Sequence, residues 1–141
     1  MDVVSPRKRS EMMSRIRSRD TTPEIKVRRI AHAMGLRFRL HRRDLPGSPD
    51  VVFPRHRVAL FVHGCFWHRH PGCHLAAVPK TRAEFWNTKF KNNVERDRRA
   101  NEQLIELGWR VAVIWECEAN NVETVRRLIH EALDMSILDA N

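Results

Sequence analysis

Two groups of side chains in this 141-residue chain have types and spacings that could do chemistry. The denser comprises Cys65, His68, His70, Cys73 and His74, with Cys117 far downstream. Thiolates and imidazoles are what a tetrahedral zinc ion takes, and three thiolates with one imidazole would close such a site. Cys65, Cys73, Cys117 and one histidine are therefore a candidate structural zinc site that ties a loop to a distant segment. Ordinary buried cysteines are the simpler alternative, but a small loop without a core of its own needs a staple. An odd number of cysteines also argues against a closed disulfide framework.

The second group joins Asp50, which follows Pro49, to His63 and His68. A carboxylate at a strand edge can hold Mg²⁺ against a phosphate oxygen, and a neutral imidazole can take a proton from an attacking water. Such a set suits phosphodiester hydrolysis. A Pro-Asp pair alone is far more often a turn, so the inference depends on the histidines arriving beside Asp50.

The rest of the composition agrees with a nucleic-acid partner. Lysine and arginine outnumber aspartate and glutamate 26 to 17, a net charge of +9, which favours a polyanion. No apolar run is long enough for a membrane span, and no secretory pattern opens the sequence, so a cytoplasmic protein with reduced thiols is expected. Phe66, Trp67, Phe85 and Trp86 lie among Arg69, Lys80, Arg82 and Lys89. Phe85 is assigned to the core, the default for an aromatic ring. Phe66 and Trp67 sit in a loop where burial is hard, and apolar wedges beside basic residues are how proteins open base steps.

These residues need elements to position them. Residues 1–20 read as a basic arm, with Met12, Met13 and Ile16 spaced for a short amphipathic turn, and residues 21–141 as one domain. Thr21 and Glu24 have capping-box spacing for a helix that Gly35 ends. Strands are expected at Arg37 to His41, Asp50 to Phe53 and Val58 to Val62; pairing Phe53 with Val58 puts Asp50 opposite Phe61, near Val62 and His63. A long polar helix runs from Thr81 to Leu107, where the run from Lys91 to Arg99 would ordinarily be a solvated face. A buried strand, Trp109 to Trp115, and a helix opened by Asn120 and Glu123 complete the order. That order implies a mixed sheet covered by helices in a three-layer α/β domain.

The runs LPGSPD (45–50), FVHGCFWH (61–68), TRAEFW (81–86), NVERDRR (93–99) and ELGWRVAVIWEC (106–117) together resemble the very-short-patch repair (Vsr) endonucleases. The resemblance covers roughly residues 10 to 118 in unchanged order. It implies a restriction-endonuclease-like fold and a Mg²⁺-dependent endonuclease with a structural Zn²⁺ that nicks one strand 5′ to the thymine of a T·G mismatch. It makes Asp50 the Mg²⁺ ligand, joined by the Val62 backbone carbonyl, and His68 the general base. His63, paired with Asp97, would steady the attacking water, with Glu24 near the site. Zinc would be held by Cys65, His70, Cys73 and Cys117, although Pro71 and Gly72 inside the loop leave His74 as a rival. Phe66, Trp67 and Trp86 would enter the DNA stack, with Lys89 and Asn93 among the DNA contacts. Double-stranded mismatched DNA is then the partner of a monomeric, nucleoid-associated enzyme that works with other repair proteins. A lesion-specific or restriction-type nuclease of the same fold is the alternative, and an inert zinc-bearing DNA-binding module a third reading.

Overall fold

The computed structural model describes residues 20–133. The basic arm, apart from Asp20, and the turn expected at Met12, Met13 and Ile16 lie outside the described residues.

Helix α1 (Thr22–Ala33) is opened by Thr21, whose side chain accepts the Glu24 amide, and by proline in the first turn. Such a cap satisfies an amide that has no partner within the helix. Strands β1 (Arg39–Leu40), β2 (Val51–Phe53) and β3 (Val58–His63) follow. A short helix α2 (Cys65–His68) and a 3-10 turn (His74–Ala76) lead into the long α3 (Ala83–Glu106), then β4 (Arg110–Trp115) and α4 (Val122–Ala132).

The sheet order is β1-β2-β3-β4, antiparallel except for the parallel β3–β4 pair. β1–β3 form a meander in which Phe53 pairs with Val58 and Val51 with Leu60, as expected from the sequence. α2 and α3 carry the chain over to β4, because a parallel neighbour demands a crossover. Every residue of β2 and β3 is buried.

Helices cover both faces. Val27 and Ala31 of α1 and Val125 and Ile129 of α4 pack with Val51, Phe53, Leu60 and Ile114 on one side. Leu104 of α3 packs with Val52, Ala59, Phe61 and Trp109 on the other. The mixed sheet between helices is therefore present. The first strand is shorter than the expected Arg37 to His41, since Phe38 turns into the first cluster and His41 leaves the β conformation at positive φ. The last helix is capped by Asn121, one residue beyond the expected Asn120: Asn121 accepts the Thr124 amide, while Asn120 accepts Lys26.

Candidate active site

Strand β2 starts one residue after Asp50, and the β2–β3 register carries Asp50 beside the end of β3. There one oxygen of Asp50 accepts the Val62 amide at 2.7 Å. The preceding turn is tight: Gly47 has φ +75, and a Cβ there would lie 2.8 Å from the Ala100 Cβ on α3 and 3.2 Å from the Phe61 ring. Glu24 reaches the same place from the first turn of α1. Its carboxylate is buried, accepts the Asp20 amide at 2.7 Å and lies 3.7 Å from His41 Nε2.

Burial, reinforced by the neighbouring Glu24 carboxyl, pushes the Asp50 carboxyl up from 3.8 to about 7, against the opposing pull of the Val62 amide. Two acids crowded out of water are relieved by a proton or a cation between them. Oxygen donors of this kind fit Mg²⁺. Asp50 and Glu24 could hold such an ion beside the end of β3.

His63 and His68 line the same cleft as this pair. Their rings stack at 3.9 Å and 4°. Asp97, from the middle of α3, accepts His68 Nδ1–H at 2.6 Å, so its hydrogen-bonded partner is His68 and not His63 as the sequence reading had it. The side chains of His63, His68 and Asp97 nevertheless converge. His63 is held below the usual imidazole range, at about 4, by burial and by the adjacent His68. Its ring is therefore neutral at neutral pH. The helical spacing Asn93, Asp97, Ala100, Leu104 explains why part of the polar run faces inward: Glu95, Arg98 and Glu102 pair on the opposite, exposed side.

Asp50, Glu24, His63, His68 and Asp97 all line or border one cleft of about 900 Å³. Phe66 and Trp67 line it too, half-buried, and Asn93 donates to the Trp67 carbonyl. Trp86 is not at the surface as expected. It is 9% exposed and packs against Phe66 and Trp67 from beneath, at 5.6 and 5.8 Å. Phe85, assigned to the core from sequence, is 42% exposed instead, with Arg82 and Lys89 over its ring. Adjacent residues point about 100° apart on a helix, and packing against Phe90 selects Trp86 as the inward ring.

A second set of donors converges where the loop after β3 meets the segment after β4. Cys65, His70, Cys73 and Cys117 bring one ligand atom each within 4.8 Å of all the others. His70 Nδ1 lies 3.6 Å from Cys65 Sγ and 3.4 Å from Cys117 Sγ. Zinc bonds of about 2.3 Å to sulfur and about 2.0 Å to nitrogen at a tetrahedral angle require S···N separations of about 3.5 Å. The set therefore fits a tetrahedral metal, with His70 and not His74 as the imidazole. Burial and the neighbouring thiols push Cys65 up to about 12, another crowd of donors that a cation would relieve.

Sequence reasoning missed Glu116. Its amide donates to the His63 carbonyl at 2.9 Å and its carboxylate accepts the Cys65 amide at 3.2 Å. Its position beside Cys117 was the available signal. His41, placed between Asp20 and Glu24, was also missed; only the fold brings it there.

The family model for the DNA mismatch endonuclease Vsr matches residues 1–74. A type II nicking enzyme, V.XorIIP, from Xanthomonas oryzae is 47% identical over 96% of this chain and 98% of its own. The DNA mismatch endonuclease Vsr of Escherichia coli is 46% identical over 94% and 82%. The chain belongs to the Vsr family. A third Vsr relative, the type II nicking enzyme V.NmeAIP of Neisseria meningitidis, is 36% identical over 94% of this chain and 97% of its own. This Vsr-family chain is a DNA endonuclease, which removes the reading of an inert zinc-bearing binder. Among the described residues no helix is long and apolar enough to cross a membrane.

Proposed function

We propose that this endonuclease hydrolyses one phosphodiester bond in mismatched duplex DNA, 5′ to the thymine of a T·G mispair, with Mg²⁺ at Asp50 and Zn²⁺ at Cys65, His70, Cys73 and Cys117. The observation that carries the reading is the single cleft lined by both the Asp50–Glu24 acids and the convergent His63–His68–Asp97 group. Because Asp97 engages Nδ1, His68 Nε2 is left as the proton acceptor. His68 takes a proton from water as the water oxygen bonds to phosphorus and the opposite P–O bond breaks. The leaving sugar oxygen takes a proton from solvent in the open cleft, and Asp97 balances the imidazolium until it returns its proton to solvent. His63, neutral and stacked on His68, holds that ring in plane. Mg²⁺ supplies charge to the phosphate oxygens when bound, at Asp50 and the Val62 carbonyl, with Glu24 supporting Asp50.

Phe66 and Trp67 enter the base stack at the mispair, with Trp86 as the slab behind them and Lys89 and Asn93 among the DNA contacts. Unstacking costs least at a mispaired step, so the wedges turn that weakness into selectivity. We take the fold as restriction-endonuclease-like, residues 21–141 as one domain and residues 1–20 as an arm over the duplex. The enzyme is a cytoplasmic, nucleoid-associated monomer serving mismatch repair with other repair proteins. The nicking enzymes among the relatives favour one second reading, a restriction-type or lesion nuclease of the same fold.

A nicking assay on matched and T·G-mismatched duplexes, with and without Mg²⁺, tests this. Mg²⁺-dependent nicking of one strand of the mismatched duplex is expected. Equal nicking of both duplexes would support the second reading, and nicking without divalent metal would overturn the mechanism.

A further inference from the structure

The donor set at Cys117 and the histidine pair in the cleft are joined by one side chain. Trp115 ends β4, directly beside His63 in the parallel β3–β4 register. Its indole stacks face to face on His70 at 4.3 Å and 12°. The same indole meets the His63 ring edge-on at 5.3 Å and 70°. His63 in turn stacks on His68. Four rings thus run without a gap from a residue of the Cys/His set to the base that Asp97 orients.

Trp115 is itself held firmly. β4 is the sheet edge, and the amide of Trp115 is satisfied by the Glu118 carboxylate at 2.9 Å. The next residue, Glu116, binds the His63 carbonyl and the Cys65 amide, and the one after it is the ligand-set residue Cys117. A ring packed between two imidazoles and anchored by its own turn has one place to sit. Aromatic pairs at these separations have preferred geometries beyond simple burial. The plane of His70, fixed when its Nδ1 is engaged with the thiols, therefore dictates where Trp115 lies, and Trp115 dictates the plane of His63.

We propose that Trp115 is a positioning residue for the nicking reaction, transmitting the ordered state of the Cys65–His70–Cys73–Cys117 set through its indole to His63 and so to His68. It touches no reacting atom. Its effect falls on the chemical step and not on DNA affinity, because displacing a catalytic group by about 1 Å costs on the order of 10²-fold in rate.

The inference rests on His63 and His68 being the catalytic pair, so the experiment carries His68→Ala as a reference. Single-turnover nicking of a mismatched duplex in Mg²⁺ is measured with duplex affinity in Ca²⁺ and zinc content by elemental analysis. Trp115→Ala is expected to keep its zinc and its affinity within about threefold while its rate falls by about 10–10²-fold, and Trp115→Phe, which retains an aromatic slab, to recover most of the rate. His70→Cys preserves a tetrahedral donor set but removes the stacked imidazole. It should retain zinc, slow nicking by a smaller factor and shift the NMR signals of the His63 and His68 rings on the far side of the indole. Trp115→Ala nicking at the wild-type rate while His68→Ala is impaired would overturn the coupling alone. Wild-type nicking by His68→Ala would overturn the catalytic reading and the coupling with it. If Trp115→Ala does not fold, His70→Cys decides: unmoved His63 and His68 signals overturn the proposal.

Discussion

The cleft and the Cys/His set lie on either side of one loop, and both crowd donors that resist carrying charge together. Asp50 is pushed up to about 7 beside Glu24, and Cys65 to about 12 beside two further thiols. They differ in where the donors point. Cys65, His70, Cys73 and Cys117 point at one another, which leaves no position for a substrate. Asp50, His63 and His68 point into a cleft of about 900 Å³. A closed tetrahedron of soft donors holds structure, whereas an open set of oxygens and imidazoles works on something that enters. Divergent use thus follows from donor hardness and direction, on the two sides of one loop.

The largest effect that could break this contrast is at Asp50. Asp50→Asn is expected to abolish nicking and leave DNA affinity largely intact, because it removes a charged oxygen donor and not a core side chain. It should also raise the melting temperature of protein free of added Mg²⁺ at alkaline pH, by ending the repulsion with Glu24. A variant with near wild-type nicking would remove Asp50 from the mechanism. His68→Ala comes next, with a single-turnover rate lower by about 10²–10⁴-fold and unchanged DNA affinity. Asp97→Asn should cost less, since it disturbs the orientation of the base and not the base itself. If the loss in His68→Ala is confined to affinity, His68 is a DNA contact.

The closed site makes the opposite prediction, a loss of stability before a loss of chemistry. Cys117→Ser should release zinc and lower stability by about 3 kcal/mol or more, roughly 10 °C for a chain of this size. Normal melting with full zinc content would remove Cys117 from the ligands. Gly47→Ala probes the turn that carries Asp50: the added Cβ meets Ala100 at 2.8 Å in a left-handed conformation. A cost of about 1–3 kcal/mol is expected, with slower nicking as the turn moves away from α3.

The last effect is on pH. With a folded-state value of about 7 against 3.8 in the unfolded chain, Asp50 keeps in the folded protein a proton that the unfolded chain has already released. Its contribution to stability without added Mg²⁺ is therefore present below about pH 4 and lost as pH rises to about 7. Mg²⁺ affinity, which needs the carboxylate, rises over the same window. Melting curves from pH 4.5 to 8 should show this slope in the wild type and a weaker one in Asp50→Asn.

Much of this arrangement was legible in the sequence. The pairing of Phe53 with Val58 carried Asp50 to Val62, and the positions of Cys65, Cys73 and Cys117 marked a convergent donor set. What remained hidden depended on distances between elements. Whether Asp97 meets His63 or His68 is decided by how α3 lies over the short helix α2. Which of Phe85 and Trp86 faces inward is decided by Phe66 and Phe90. Trp115 reads in the sequence as an ordinary residue of a buried strand, and only the loop folded over β4 shows it held between His70 and His63.

The distinction between an open, exchangeable site and a closed, structural one is tested most directly by a brief EDTA treatment, followed by Mg²⁺ alone and a nicking assay, with zinc counted in the same sample. Nicking should stop in EDTA and return fully with Mg²⁺ while about one zinc per chain is retained throughout. Activity that returns only with added Zn²⁺, or full activity in protein without zinc, would contradict the account.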